Sequence, residues 1–498
     1  MTGDSGTILL VEPPFHRLFK PTYSLERYPL GLAYLAAAAM ARTDWTVAAV
    51  NADFTPHSEP IRVSWLAGEG FRRYRRQLDD PHGACWDELR DTLERLRPDV
   101  VGISAKSQTF ASARVVARLA RDVCGARVVV GGPHPSLVGA EALTDEFDIA
   151  VRGEGEQTLV GLLEALAGGR SLGDVAGLIY RESDGAVRET PRRELVEDID
   201  SLGFAIDGAP ALVGRKRYPP GAFRYVFTTR GCPYNCTFCG SRGIWGRHVR
   251  PRSPGHVAAE LRTLQRMGVR QVHVDDDTFG IDRDWLAELC RAIRADCPRL
   301  RWSCEMHVKG VDDETLAMMR RSGCCSIQLG IESGNDDILR AIRKNITAGE
   351  ALAACRAVRR SGMELVAFFM VGFPDETEAT LAETAAAMAA CDADVLVYSI
   401  FTPYPGTEMY EQCRRRGLIG AAYDPALHHH QSPANCFCEH IRPERFRERV
   451  GEIEASVDRH NARRRRRRLL SRRALGRLCE LGPREALRRA AGMLRRGR

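Results

Sequence analysis

No run of about eighteen uncharged apolar residues occurs in this chain of 498 residues, so no transmembrane helix is expected. The amino terminus, Met1-Thr-Gly-Asp-Ser-Gly-Thr-Ile-Leu-Leu10, has neither the basic nor the apolar region of a signal peptide, and a cytoplasmic location is expected. The 16 cysteines are too sparse for a disulfide scaffold and are scattered as buried thiols are in a reducing compartment. A second close Cys-x2-Cys pair, the usual sign of structural zinc, is missing. The charge of +7 misleads: residues 463–498 hold 15 Arg and 2 Glu, so the rest of the chain sums to −6. Nucleic acid is therefore not expected as a partner of the body.

Hydrophobic residues make up 44 % of the chain, which fits folded domains over most of its length. Residues 7–167 alternate strand candidates (7–11, 46–51, 99–105, 127–132, 149–152) with helix candidates (30–40, 86–95, 111–123, 156–167). β-Branched runs such as Val128-Val-Val130 suit strands buried on both faces, and the alternation predicts an α/β, Rossmann-like, doubly wound parallel sheet. Residues 168–221 read as a joint containing a small hairpin. From 223 the alternation resumes in six strand–helix units up to about residue 404. The expected domains are 1–167, a connector 168–221, 222–420 and a C-terminal extension 421–498.

The most specific run is Thr228-Thr-Arg-Gly-Cys-Pro-Tyr-Asn-Cys-Thr-Phe-Cys-Gly240, which places Cys232, Cys236 and Cys239 in C-x3-C-x2-C spacing. A cubane iron–sulfur cluster takes four ligands, one per iron, so three thiolates leave one iron open. A catalytic site keeps such an opening, whereas a structural one fills it. This spacing, with Phe238 before the third cysteine, resembles the radical S-adenosylmethionine (SAM) superfamily. The resemblance implies a [4Fe-4S] cluster whose free iron binds SAM, and a partial (β/α)6 barrel with its chemistry at the C-terminal ends of the strands.

Other motifs extend the likeness. Val274-Asp-Asp-Asp-Thr-Phe279 resembles the element that faces the SAM amino group, with Asp276 or Asp277 as the candidate carboxylate and no basis to choose between them. Leu329-Gly-Ile-Glu-Ser-Gly-Asn335 resembles the G-x-E-S-G element, which implies SAM contacts for Glu332 and Ser333. Lys344 fits a basic residue that follows it, but reads first as a solvated helix lysine. In Met370-Val-Gly-Phe-Pro-Asp-Glu-Thr377, Gly372 offers close backbone approach near adenine, and Glu376 or Thr377 caps a helix. Tyr404, in Thr402-Pro-Tyr-Pro-Gly-Thr407, reads as a residue facing substrate or as part of a packed turn.

In the N-terminal tract, Pro13-Pro14, Tyr28-Pro-Leu-Gly31 and three motifs at strand ends resemble the cobalamin-binding domain found before many radical SAM domains. Those motifs are Ser104-Ala-Lys-Ser107, Gly131-Gly-Pro-His134 and Gly153-Glu-Gly-Glu156. They imply cobalamin contacts from Ser104, Ser107, Gly131, Gly132, His134, Gly153, Glu154, Gly155 and Glu156. The D-x-H-x-x-G motif of histidine-ligated cobalt is absent. Its nearest match, Asp80-Pro-His-Gly-Ala-Cys85, has Cys85 in place of glycine and lies before a helix. No histidine of this domain is therefore expected on cobalt, and His82 reads as a surface residue. His428-His-His430 with Cys436 and Cys438 matches no metal-site spacing.

Over nearly the whole chain to about residue 420 the pattern resembles cobalamin-dependent (class B) radical SAM enzymes. This implies methylation of an unactivated carbon of a small molecule: a 5′-deoxyadenosyl radical removes hydrogen from substrate, and methylcobalamin supplies the methyl group. An external electron donor such as flavodoxin or ferredoxin is implied as well. The Arg- and Ala-rich composition points to a GC-rich genome and, only through that, to a natural-product pathway. The rival readings are a radical cyclase that uses cobalamin without methyl transfer and an RNA-modifying enzyme with a basic tail. Arg463–Arg468, followed by an amphipathic pattern to Leu478, reads as a solvated or loosely helical tail that could peel away, with membrane or partner contact as alternatives.

Overall fold

The structure, a computed structural model, describes residues 6–56, 58, 59, 65–429, 432 and 435–469. The first sheet contains β1 (Thr7–Glu12), β2 (Thr46–Asn51), β3 (Val100–Ser104), β4 (Arg127–Gly131), β5 (Ile149–Val151), β6 (Leu178–Arg181) and β7 (Val187–Glu189). Their order is β2-β1-β3-β4-β5-β6-β7. β1 to β5 run parallel, and β6 and β7 add an antiparallel hairpin. The winding reverses between β1 and β3, which opens a crevice beyond the carboxyl ends of the strands. β1 shows why its apolar run is unbroken. Ile8 and Leu10 enter one core, with the helices Leu30–Arg42 and Glu156–Gly168; Leu9 and Val11 enter the other, with Asp87–Leu96 and Phe110–Cys124.

The expected connector is not a separate unit. Its hairpin extends the first sheet, and its 3-10 segment Ala205–Ala211 lies on the helix Leu30–Arg42. A Cβ at Gly208 would fall 2.0 Å from the Ala33 carbonyl oxygen, so only glycine permits that approach.

The second sheet contains β8 (Tyr225–Val226), β11 (Gln271–Val274), β12 (Arg301–Met306), β13 (Cys324–Glu332), β14 (Glu364–Val371) and β15 (Val395–Ile400). All run parallel, in the order β15-β14-β13-β12-β11-β8. This is the six-stranded partial barrel that the sequence predicts. Ser253, Asp282, Asp312, Thr347 and Thr377 each accept a backbone N–H at the start of a barrel helix. The expected strand 223–229 is split. β8 stops at Val226, and Thr229–Arg230 form β9, which pairs antiparallel with β10 (Arg250–Pro251).

The arginine run is part of the fold, which corrects its reading as a tail free to peel away. The helix Pro443–Leu469 runs through it and covers the edge strand β15. Asn461 accepts from Leu396 N–H and donates to Leu396 C=O, both at 2.9 Å, pairing backbone that the sheet leaves open. Arg464 binds Asp392, and Arg468 binds Glu364. The rest of the amphipathic pattern, from residue 470, lies outside the described residues. Among the described residues no helix is long and apolar enough to cross a membrane.

Candidate active site where the two sheets meet

The three cysteines lie on the loop between β9 and β10. Gly231 starts that loop at φ +102°, and a Cβ there would stand 2.1 Å from the His248 carbonyl oxygen. Thr237 fastens the loop to the barrel, donating from its N–H to Ile342 C=O at 3.1 Å and accepting from Met409 N–H at 2.9 Å. The Tyr234 ring stacks on His307 at 3.7 Å. His307 accepts from Lys309 N–H at Nδ1 and donates from Nε2 to Lys344 C=O, and burial pushes its pKa down to about 4. All three thiols are unbridged. Burial raises them, Cys232 and Cys236 to about 11, and the Lys344 ammonium only partly offsets this.

Lys344 is buried, not solvated as the sequence suggested. Its Nζ lies 2.8 Å from Glu332 Oε1. Glu332 ends β13 at φ +69°, where the register with β14 slips, so its carboxylate is placed at some backbone cost. Ser333 turns away into the protein, its Oγ 3.1 Å from Thr384 Oγ1 and accepting from Asn335 N–H. Its expected SAM contact is corrected to a turn brace. Of the two candidate aspartates, Asp276 is fully enclosed and accepts from the N–H and hydroxyl groups of both Thr228 and Thr229. Those four bonds explain the break after β8 and leave Asp276 no acceptor for a ligand. Asp277 lies at the cavity wall, raised by desolvation and then by Asp275 and Glu305.

Gly372, at φ +94°, has Phe446 of the C-terminal helix against it, 2.8 Å from where a Cβ would be. Its close approach is to protein. Thr377 is the helix cap, and buried Glu376 instead accepts from Gly372 and Phe373 N–H groups. Phe238 packs near Phe373, ring centroids 5.8 Å apart. Tyr404 donates to Gln108 across the domain boundary at 3.2 Å. The three-histidine run does not converge: His428 bonds Asn435 and stacks on Tyr423, and His429 lies against Phe19 and Phe71. His430 lies outside the described residues.

A cavity of about 410 Å³ lies between the C-terminal ends of the two sheets. Ser104, Gly131, Gly132, Gly153 and Gly155 line it, as do Tyr28, Tyr34 and Phe227. Ser107 and His134 do not; they bond each other at 3.0 Å, and burial lowers His134 to about 4, so they read as packing groups and not as cobalamin contacts. His82 is exposed on a turn away from the cavity. Glu154 and Glu156 line the wall but are engaged elsewhere. Arg230 binds Glu154 at 2.7 Å and Glu156 at 2.6 Å, and Arg250 binds Glu154 at 2.9 Å. Burial alone would raise Glu154, but Arg250 and Arg230 outweigh it and hold its pKa low. Leu137, after β4, fits against Gly240, Gly243 and Gly406, where added Cβ atoms would come within 2.9, 2.5 and 2.6 Å of it. The loop that carries the cysteines is thus fixed to the first domain by charge and by shape. Arg230 and Leu137 escaped sequence reasoning. The only signal was Arg230 beside Gly231-Cys232, with two carboxylates waiting in Gly153-Glu-Gly-Glu156.

Residues 226–388 match the radical SAM superfamily, and residues 21–163 match the B12 binding domain. The uncharacterized methyltransferase PH0819 of Pyrococcus horikoshii is 31 % identical over 419 residues, spanning 83 % of this chain and 84 % of that one. The chain belongs to the cobalamin-dependent radical SAM methyltransferases. The anaerobic magnesium-protoporphyrin IX monomethyl ester cyclase of Rubrivivax gelatinosus is 28 % identical over 337 residues, 66 % of this chain and 60 % of the cyclase. The radical SAM methyltransferase TsrM from Kitasatospora setae, solved with cobalamin and a [4Fe-4S] cluster bound, shares the fold at a TM-score of 0.63 and 21 % identity, covering 82 % of this chain and 78 % of that one.

The cofactors of this methyltransferase family fit the residues present. Three free thiols on one fastened loop suit a cluster with an open iron. Asp277 and the Glu332–Lys344 pair stand electrostatically close to those thiols, where SAM would bring an ammonium and a carboxylate. In the cavity wall, Tyr34 Oη is buried without a hydrogen-bond partner among the described residues, as expected of a group reserved for a polar ligand.

Proposed function

We propose that this methyltransferase acts on an unactivated carbon of a small molecule, a natural-product intermediate, held between the two domains. The observation that carries this reading is the shared cavity. One wall is the carboxyl edge of the first sheet, and the other reaches Tyr225, Asp275 and Asp277 at the mouth of the barrel. When bound, the cluster supplies an electron to SAM and cobalamin supplies the methyl group.

The chain's own residues position and shield. Cys232, Cys236 and Cys239 would hold the cluster; Asp277 and Glu332 would orient SAM, with Lys344 holding Glu332 in place. Ser104 and the glycines at the ends of β4 and β5 would cradle cobalamin. The substrate would meet the barrel residues His273, Asp275 and Glu305, whose side-chain donor atoms lie within 4.8 Å of one another, and the half-buried Val366, Phe368 and Met370 of β14. Apolar walls exclude water from the reacting carbon. Two working units, 1–167 extended by the hairpin and the 3-10 segment of 168–221, and 222–420, belong to the same proposal, as do an external electron donor such as flavodoxin or ferredoxin and action in the cytoplasm.

The test is anaerobic purification after growth with cobalamin, followed by product analysis. Near one cobalamin and four irons per chain, with S-adenosylhomocysteine formed beside 5′-deoxyadenosine, supports methyl transfer. 5′-Deoxyadenosine alone in substrate turnover would move the protein to the cyclase reading.

A further inference from the structure

Among the described residues, His273, Asp275 and Glu305 bring three ligand atoms together at the barrel. His273 lies in β11 and Asp275 follows it by two residues, the spacing that keeps side chains on one face of a sheet. Glu305 comes from the neighbouring β12, where Ser303 is the register partner of His273. His273 is only 9 % exposed. Its Nδ1 lies 2.9 Å from Ser303 Oγ, and that hydroxyl donates to Val272 C=O at 3.4 Å, so it accepts from the ring. Nδ1 therefore carries the proton and Nε2 the lone pair. Nε2 stands 4.0 Å from Asp275 Oδ1 and 3.8 Å from Glu305 Oε1, too far for hydrogen bonds. No described residue hydrogen-bonds to Nε2 or to either carboxylate. Arg27 approaches only the other oxygen of Asp275, at 3.6 Å. Three acceptors thus face one another with no donor between them, which costs free energy unless a cation joins them. An ion with bonds of about 2.1 Å holds its ligand atoms roughly 3–4 Å apart, so these groups need little movement to share one. The Ser303 bond at Nδ1 is the kind of outer support that fixes the tautomer and orientation of a metal-binding imidazole.

We infer that His273 Nε2, Asp275 and Glu305 bind one divalent first-row cation such as Mn²⁺, a class of ion suited to imidazole and carboxylate donors. Three protein ligands leave coordination positions open for an exchangeable ligand. Asp275 belongs to the cavity wall, so an ion held there borders the space proposed for substrate, and its open positions would take substrate oxygen donors. The ion site stands on its own geometry; its contact with substrate rests on the proposed function.

The test is equilibrium dialysis of the full-length protein, purified anaerobically, against Mn²⁺ alone, with pulsed electron paramagnetic resonance of the bound ion. One Mn²⁺ per chain is expected, with nitrogen modulation from one imidazole. Glu305→Gln should weaken binding at least about tenfold, and because the Glu305 side chain is 48 % exposed this change leaves the fold intact. His273→Gln should weaken binding as much and abolish the nitrogen modulation. Glu314→Gln, at a carboxylate 84 % exposed and paired with Arg283, should leave binding unchanged. Failure to bind at millimolar Mn²⁺ would overturn the inference. So would an affinity that Glu305→Gln and His273→Gln leave unaltered, since the ion is then adventitious, or bound Mn²⁺ without nitrogen modulation. Iron and cobalamin contents of the same samples test the proposed function separately: Mn²⁺ bound as expected by protein that takes up no cobalamin would uphold the ion site while the methyl-transfer reading fell.

Discussion

Arg230→Met should cost the protein far more than an arginine usually does. Arg230 is 6 % exposed and holds two carboxylates, Glu154 at 2.7 Å and Glu156 at 2.6 Å, themselves each 5 % exposed. Methionine keeps the length and apolar stem of the side chain but leaves Glu156 without a cation, whereas Glu154 keeps Arg250 and the Val196 N–H. Breaking a buried pair from one side costs about 3–5 kcal/mol, because the remaining charge stays dehydrated. For a unit the size of the barrel this is a fall of about 6–20 °C in Tm. Arg283→Met is the control, since its pair with Glu314 is 55 % and 84 % exposed and should be worth less than about 1 kcal/mol. The assay is thermal unfolding followed by tryptophan fluorescence, with Trp245 lying 5.7 Å from the Arg230 guanidinium as a local reporter. Adding Glu156→Gln to Arg230→Met removes the stranded charge and should restore at least half of the loss. If Arg230→Met behaves like Arg283→Met, or the double variant is no better than the single, the interface is not held by this charge pairing.

Three further changes test other parts of the site. Gly231→Ala puts a methyl group against the His248 carbonyl at positive φ, and should reduce bound iron at least severalfold without reducing cobalamin in proportion. Lys344→Met strands buried Glu332 and should weaken SAM binding at least about tenfold in equilibrium dialysis, the scale of a lost charge-assisted bond of about 1.5–3 kcal/mol. Glu376 is raised to about 8 by burial, against a usual 4.5, so its protonated form favours the folded state below pH 4.5 and that advantage is lost as pH rises through 8. Glu376→Gln should remove a slope on the order of 1 kcal/mol per pH unit across that window, seen as a Tm that falls less from pH 5 to 8 than in wild type.

The elements that the sequence displayed were those set by local pattern. The parallel strands, their helices and the cysteine loop need only periodicity, capping residues and close spacing, and nearly all of them lie where those signals put them. What stayed hidden depended on pairs distant in the chain. Asp276 and Asp277 are neighbours with the same chemistry. Only the folded position of Thr228 and Thr229 shows that the first is a brace and the second faces the cavity. Lys344 carries no local mark of burial, because its partner Glu332 lies twelve residues away across a strand end. Gly372 was expected to approach the cofactor closely near adenine; the group that stands against it is Phe446, from a helix more than seventy residues later.

The acidic motif Gly153-Glu-Gly-Glu156 carries the deeper consequence. At a strand end it looks like a ligand loop, and its glycines do line the cavity. Its carboxylates, however, grip Arg230, two residues before Cys232, while Leu137 from the same domain fills the hollow made by Gly240, Gly243 and Gly406. The cysteine loop is therefore fixed to the domain that forms the opposite cavity wall, on both sides of its three cysteines. A hinge between the domains would have to break buried ion pairs and withdraw Leu137 at once, which sets its cost well above that of an ordinary polar domain interface. Such stiffness suits a reaction in which two cofactors must address one carbon, since a displacement of about 1 Å can cost a hundredfold in rate. The motions that admit and release substrate must then come from elsewhere than the contact between Gly153–Glu156 and the cysteine loop. Substrate exchange should leave the protection of Arg230 and Leu137 backbone amides unchanged in hydrogen exchange, and a substrate-dependent loss of protection there would show that the two walls separate during turnover.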